Sequence, residues 1–166
     1  MPRLLLLRHA KAERARPGES DHQRVLAARG RQDCATVGRI MADRGEAPDR
    51  VLCSTSSRTR ETWDLVRPAL GATPEPRFLK TIFEAGDYLS ILRQEGGDTR
   101  SLLLIGHNPT MMDAALQLLG AESAGLDGRF PTAALAIIDF AGSWDALAPG
   151  GGRLVAFIKP REGESE

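Results

Sequence analysis

The stretch "LLLLRHAKAE", residues 4–13, decides how the chain reads. Four leucines run without interruption into Arg8 and His9. A short continuous apolar run with a sharp polar end reads as a strand buried on both faces, here residues 3–8. Two potential cations then stand where that strand reaches the rim of a sheet. "KAERARPGES" continues as a polar loop carrying Pro and Gly turn signals, and Glu13, Arg14 and Arg16 read as ordinary loop charges within it.

Outward from this strand, helical and strand patterns alternate. A helix is predicted to start at "SDHQ", where Ser20 and Gln23 have the spacing of a capping box. Leu26, Gly30, Cys34, Val37 and Met41 supply its inward face, His22 reads as a surface residue, and "RGEAP" ends it. "RVLCS" (50–54) reads as a second strand. "STSSR" then offers hydroxyl caps to a helix whose Trp63, Val66 and Leu70 share a face, with Arg67-Pro68 beginning its end. "GATPEPRFLKTIFEAG" reads as an irregular connection with room for a short strand. "DYLSILRQEGG" is a short helix closed by glycines.

"RSLLLIGHNP" repeats the opening pattern, an apolar strand ending in a histidine. In the helix that follows, Asn108 suits the N-cap and Pro109 the first helical position. Met112, Ala115, Leu116 and Leu119 then fall at helical spacing, and the Met111-Met112 pair reads as core packing. Residues 133–140 and 153–160 read as two strands joined by a loop containing "APGGG". The expectation is one domain over 1–160, a three-layer α/β/α sandwich with a mostly parallel central sheet, and a polar, disordered tail over 161–166.

Composition narrows the function. The chain has 166 residues, enough for a sizeable core. Lys+Arg (22) balance Asp+Glu (22). Such a balance argues against a general binder of nucleic acid or anionic membranes, yet permits a small cationic pocket. The single tyrosine and few other aromatics also argue against an RNA-binding domain. No apolar run has the length of a membrane span, and the opening segment lacks the features of a signal peptide. Cys34 and Cys53 make neither a disulfide framework nor a CxxC motif, so a cytoplasmic protein with reduced thiols is expected.

In open α/β sheets, ligands gather beyond the carboxyl ends of the strands. Three strand-like runs of this chain end there in basic residues. The first ends at Arg8-His9, the second leads through "STSS" to Arg58, and another ends at Gly106-His107. Two arginines and two histidines on one rim form a cup suited to a phosphoryl group, whose oxygens match the planar fork of a guanidinium. Other chemistries lack their signatures. No glycine-rich segment matches GxxxxGK[ST], no GxSxG elbow surrounds the serines, and no Cys/His spacing suits zinc. No metal and no cofactor is expected.

At these residues the chain resembles the histidine phosphatase superfamily, which has the phosphoglycerate mutase-like fold. "LLLRHAKAE" is similar to its Arg-His signature, and the "RHAK" form resembles the phosphohistidine phosphatase SixA branch. "CSTSSRTRETW" resembles the second motif of that branch, "LLLIGHNPTMMD" its GHNP motif, and "FPTAALAIIDF" the segment after it. "SDHQRVLAARG" resembles an early "D..RPLT..G" stretch, with Val25 where proline is usual and Ala27 where threonine is usual. The resemblance spans nearly the whole chain in the same order.

Carried across residue by residue, the resemblance implies that His9 is the nucleophile. Arg8 and Arg58 would hold the phosphoryl oxygens, His107 would be the second active-site histidine, and Arg24 would line the pocket. The expected function is a metal-independent phosphatase working through a covalent phosphohistidine intermediate and acting on phosphohistidine in proteins. A small-molecule phosphomonoesterase and a non-catalytic phosphate-binding module are the alternatives. Expected partners are a phosphorylated protein or a small phosphate ester, without nucleic acid or membrane. The oligomeric state stays open, a monomer included. Larger members of the superfamily take a general acid from a mid-chain insertion. The candidate in this short chain is Glu84, which otherwise reads as a solvated loop charge.

Overall fold

Alternation at the strands builds two cores. The computed structural model describes residues 1–84 and 86–161. Its strands are β1 (Arg3–Arg8), β2 (Arg50–Ser54), β3 (Arg77–Leu79), β4 (Ser101–Gly106), β5 (Leu135–Phe140) and β6 (Gly152–Ile158). They form one sheet in the order β3-β2-β4-β1-β5-β6. β3, β2, β4 and β1 run parallel, β5 is antiparallel to β1, and β6 is antiparallel to β5. The helices are α1 (Ala28–Asp43), α2 (Ser57–Val66), α3 (Lys80–Phe83), α4 (Tyr88–Glu95) and α5 (Thr110–Leu119).

All four opening leucines are fully buried. Successive side chains of a strand point to opposite faces. Leu5 and Leu7 therefore join Cys34, Val37 and Met41 of α1 and Trp63 and Val66 of α2. Leu4 and Leu6 join Leu89 and Leu92 of α4 and Met111 and Leu118 of α5. Helices thus cover both faces of a mostly parallel sheet, the expected three layers. Burial of each leucine contributes about 2 kcal/mol. β1 lies between β4 and β5 and is clamped at its start as well. Arg3 donates to both carboxylate oxygens of Asp139 at 2.8 and 3.0 Å, and to Glu46 at 2.8 and 3.0 Å.

Local expectations shift in four places. Gln23 does accept from the Ser20 N–H at 2.9 Å, but this closes only the 3-10 turn Asp21–Gln23. α1 begins at Ala28, because the intervening chain is drawn out to pair with the loop after β1 through Ala12 and Leu26. Leu26 is buried from that bridge and not from the helix. On α5 the buried residues are Met111, Ala114, Ala115, Leu118 and Leu119, whereas Leu116 is 40% exposed. The helix is apolar at most positions, so two neighbouring stripes satisfy the same spacing, and contact with the sheet selects one.

Pro109 occupies the cap position of α5, and Asn108 caps from one residue earlier, its Oδ1 accepting the Met112 N–H at 3.2 Å. The connection after α2 yields the edge strand β3 and the short α3. Of the tail expected over 161–166, residues 162–166 lie outside the described residues, while Arg161 donates to Asp33 of α1 at 2.8 Å. Among the described residues, no helix is long and apolar enough to cross a membrane.

Candidate active site

Strand register brings the expected residues together. Arg8 pairs with Gly106 across β1 and β4, so His9 and His107 leave adjacent strand ends. The His9 N–H donates to the Gly106 carbonyl at 3.1 Å, and the two imidazole rings lie 5.3 Å apart. β2, on the other side of β4, ends at Ser54, whose Oγ is 2.7 Å from His107 Nε2. Arg58 sits in the first turn of α2, which Ser56 caps by accepting from the Thr59 N–H.

A glycine is required at 106. A Cβ there would lie 2.3 Å from the Tyr88 hydroxyl oxygen. That hydroxyl accepts the His107 N–H at 3.0 Å and so fixes where the chain turns out of β4. Gly30 has a similar role behind β1, since a Cβ would lie 2.1 Å from the Lys11 carbonyl oxygen. α1 thereby packs directly on the loop that carries His9 out of the sheet.

Arg8, His9, Arg24, Arg58 and His107 share one cavity of about 230 Å³, with Lys11 and Asn108 also in its wall. His9 is buried, and its Nδ1 lies 2.7 Å from the Ala10 carbonyl oxygen. A carbonyl only accepts, so Nδ1 carries the proton and Nε2 keeps its lone pair. Arg58 Nε approaches Nε2 at 3.4 Å. Burial, and then the nearby charges of Arg58 and Arg8, hold the His9 pKa well below its ordinary value. Burial likewise pushes His107 down to about 4, with Arg58 adding to the effect. Both imidazoles are neutral at physiological pH.

The cations face the same cost of burial. Arg8 is pushed down to about 10 by burial and then by Arg58, which leaves it charged at neutral pH. Its guanidinium donates to the Phe130 carbonyl at 2.9 Å. Burial lowers Arg58 too, and Asp21 counters this. The Asp21 backbone carbonyl accepts from Arg58 at 2.7 Å and its carboxylate at 3.0 Å. Partial burial opposes ionisation of Asp21, yet Arg24 and Arg58 together hold its carboxyl below the ordinary value. The cup therefore combines fixed guanidinium donors with a neutral, tautomer-defined imidazole nitrogen.

Arg24 lines the cavity, but its donors go to Asp21 at 3.0 Å and to the Glu13 carbonyl at 2.8 Å. Glu84 is exposed, lies 3.8 Å from Lys80, and is not in the cavity wall. His22 departs from the surface reading. It is half-buried, its Nε2 is 2.9 Å from Thr55 Oγ1, and its ring meets the edge of Phe83 at 4.7 Å. Phe83 in turn packs against His107 at 5.6 Å and beneath Arg58 at 6.0 Å.

Ser54, Asp21, Tyr88 and Phe83 were not singled out in the sequence as site residues. Asp21 meets Arg58 across 37 positions and no spacing rule links them. Ser54 had two signals, its place at the end of an apolar strand and its position within "CSTSSRTRETW". Cys34 and Cys53 are buried, and burial raises both thiols to about 12, so neither is a ready nucleophile. Among the described residues, no group of three or more His, Cys, Asp or Glu could hold a metal ion.

Comparison with known proteins gives a consistent picture. Residues 4–86 match the family model of the histidine phosphatase superfamily (branch 1). An uncharacterised protein of Mycobacterium tuberculosis is 34% identical, over 93% of this chain and all of its own. Among solved structures, a candidate phosphohistidine phosphatase SixA from Agrobacterium tumefaciens is 32% identical. It superposes with a TM-score of 0.83 over 96% of this chain and 99% of its own. The protein histidine phosphatase SixA in complex with tungstate shares the fold at a TM-score of 0.77, with 23% identity over 95% of this chain and 97% of that one.

Proposed function

We propose that this chain, which belongs to the histidine phosphatase superfamily and is a phosphatase, works through a covalent phosphohistidine on His9 and acts on phosphohistidine carried by proteins. The observation that carries the reading is the state of His9. Its Nδ1–H is engaged by the Ala10 carbonyl, its Nε2 lone pair is free of a proton, and arginines surround it. Neutral imidazole is a competent nucleophile toward phosphorus.

In this reading the phosphoryl group enters the cup with its oxygens on Arg8 and Arg58. Nε2 attacks, a bond from Nε2 to phosphorus forms, and the bond to the leaving group breaks. The ring gains positive charge as it is phosphorylated, and the hydrogen bond from Nδ1–H to Ala10 strengthens with it. An interaction that strengthens along the reaction lowers the barrier. The guanidinium groups take up charge on the equatorial oxygens. Water then displaces the phosphoryl group from Nε2 and releases inorganic phosphate. His107, neutral and held by Ser54, borders the same oxygens.

The leaving group favours phosphohistidine over alkyl esters. Among the described residues lining the cup there is no carboxylate. Asp21 stands beside it, but two arginines keep it ionised, which removes it as a proton donor at neutral pH. An alkoxide would leave poorly without a proton, whereas a protonated imidazole leaves as a neutral molecule. The neighbour from Agrobacterium tumefaciens adds support, being described as a candidate phosphohistidine phosphatase.

The test uses an aryl phosphate with a chelator present, beside a His9→Ala variant, and traps the phosphoenzyme in an alkaline denaturing quench before its acid lability is measured. Chelator-resistant turnover that disappears in the variant, with an acid-labile phosphoenzyme in the wild type alone, is the expected outcome. A phosphoenzyme that still forms without His9 removes it from the role of nucleophile. Tight tungstate binding without any turnover would favour the binding module.

A further inference from the structure

Two further cavities border the cup. One, of about 550 Å³, shares Lys11 and Ala12 with it and is otherwise lined by Glu13, Arg14, Arg16 and Ala27. The other, of about 280 Å³, shares Asn108 and is lined by Met112, Arg129, Phe130 and Pro131 among others. They have no residue in common, so they meet the cup at separate points. The cup thus has a neighbouring cavity at each of two points, space for the chain on either side of a phosphorylated residue.

The larger flank is strongly cationic although the whole protein is charge-balanced. Arg14 and Arg16 are exposed, and among the described residues no ion pair engages Lys11, Arg14 or Arg16. Nearby acids do not neutralise them. Glu19 accepts from the backbone N–H of Arg16 at 3.2 Å, and the chain around Glu13 is tied to the next segment by its backbone. The floor beneath these side chains is fixed. The Glu13 N–H donates to Val25 at 2.8 Å, the Ala27 N–H donates to Lys11 at 2.9 Å, and Gly30 packs on Lys11 from below. Unpaired cations on a fixed base beside a phosphoryl cup create a local positive potential that steers anions.

We propose that the cleft of Lys11, Arg14 and Arg16 is a docking site for acidic side chains flanking the phosphorylated residue of a protein substrate. This rests on the protein-phosphohistidine reading above. The cup already accounts for the phosphoryl charge, so the additional cations answer to additional anions on the same molecule. A nucleic acid fits less well, because glutamates at 13 and 19 interrupt the patch and a phosphodiester backbone needs a longer basic track.

The test uses two peptides phosphorylated on one histidine, with either glutamate or glutamine at the flanking positions, and their unphosphorylated forms. The enzymes are the wild type and an Arg14→Gln/Arg16→Gln variant, which leaves Lys11 and the cup intact. The expected result is a lower KM for the glutamate peptide in the wild type, about fivefold from two exposed ion pairs, which added salt and the variant both abolish. Aryl phosphate turnover is unchanged in the variant. The unphosphorylated glutamate peptide competes with aryl phosphate in the wild type and not in the variant.

Equal KM values for the two peptides, without competition by the acidic one, overturn the docking site and leave the substrate reading standing. Competition by the acidic peptide with no turnover of either phosphopeptide overturns the phosphohistidine reading and supports the cleft. Loss of aryl phosphate turnover in the variant would assign Arg14 and Arg16 to the cup itself and overturn a separate site.

Discussion

Lowering the pH from 7 to 4.5 is expected to weaken the fold through His9 and His107. His107 has its pKa pushed from 6.5 down to about 4, and His9 is held well below 6.5. The unfolded chain takes up a proton near pH 6.5 that the folded chain refuses. Stability is therefore fully present above pH 6.5 and is lost as pH falls toward the folded value. For His107 the loss between pH 7 and 4.5 is about 2–3 kcal/mol, and His9 adds a loss of the same sign. Asp21 and Asp139 are held below 3.8, so their contributions are lost only below this window. Urea unfolding in phosphate-free buffer measures the effect, reported by Trp63 and Trp144, both buried. With a urea dependence of about 2 kcal/mol per molar, the midpoint falls by about 1 M or more. A midpoint that moves by less than a few tenths molar refutes the reasoning. So does a His9→Asn/His107→Asn variant that retains the full pH dependence.

Four other outcomes follow from the same geometry. Ser54→Ala removes the partner of His107 Nε2 and lowers kcat about tenfold with KM little changed, measured on an aryl phosphate. Gly106→Ala drives a methyl against the Tyr88 hydroxyl; it lowers both stability, by about 1–3 kcal/mol in urea melts, and kcat, through the displaced His107. Tyr88→Phe strips the acceptor from the half-buried His107 N–H and costs about 1 kcal/mol of stability. Asp139→Ala breaks the clamp on Arg3 at the far end of β1. It destabilises by about 2–3 kcal/mol while kcat stays near wild type.

Much of the fold was legible because its strands are written as apolar runs. The leucines of β1 and the "LLLI" of β4 have no polar alternation, and only a strand with helices on both faces buries every such residue. Boundaries were less legible where polar segments obtain structure from distant partners. The chain from Arg24 to Ala27 lies in a stretch with helical spacing but is held extended by Lys11–Glu13, and no local pattern announces that contact. α5 shows the opposite limit, since its surplus of apolar residues supports more than one inward stripe.

For the site, the sequence by itself determined which residues stand at strand ends: Arg8-His9, Arg58 after β2, and His107 after β4. Strand order and register decided the rest. Placing β4 between β1 and β2 sets the two histidines side by side and brings Ser54 to one of them. Burial then decided the chemistry, because a histidine's charge depends on what surrounds it and not on its neighbours in the chain. The Ala10 carbonyl fixes the His9 tautomer, and low exposure among cations keeps both imidazoles neutral. Residue identity supplies an imidazole that can be neutral near pH 7, and tertiary structure makes it so.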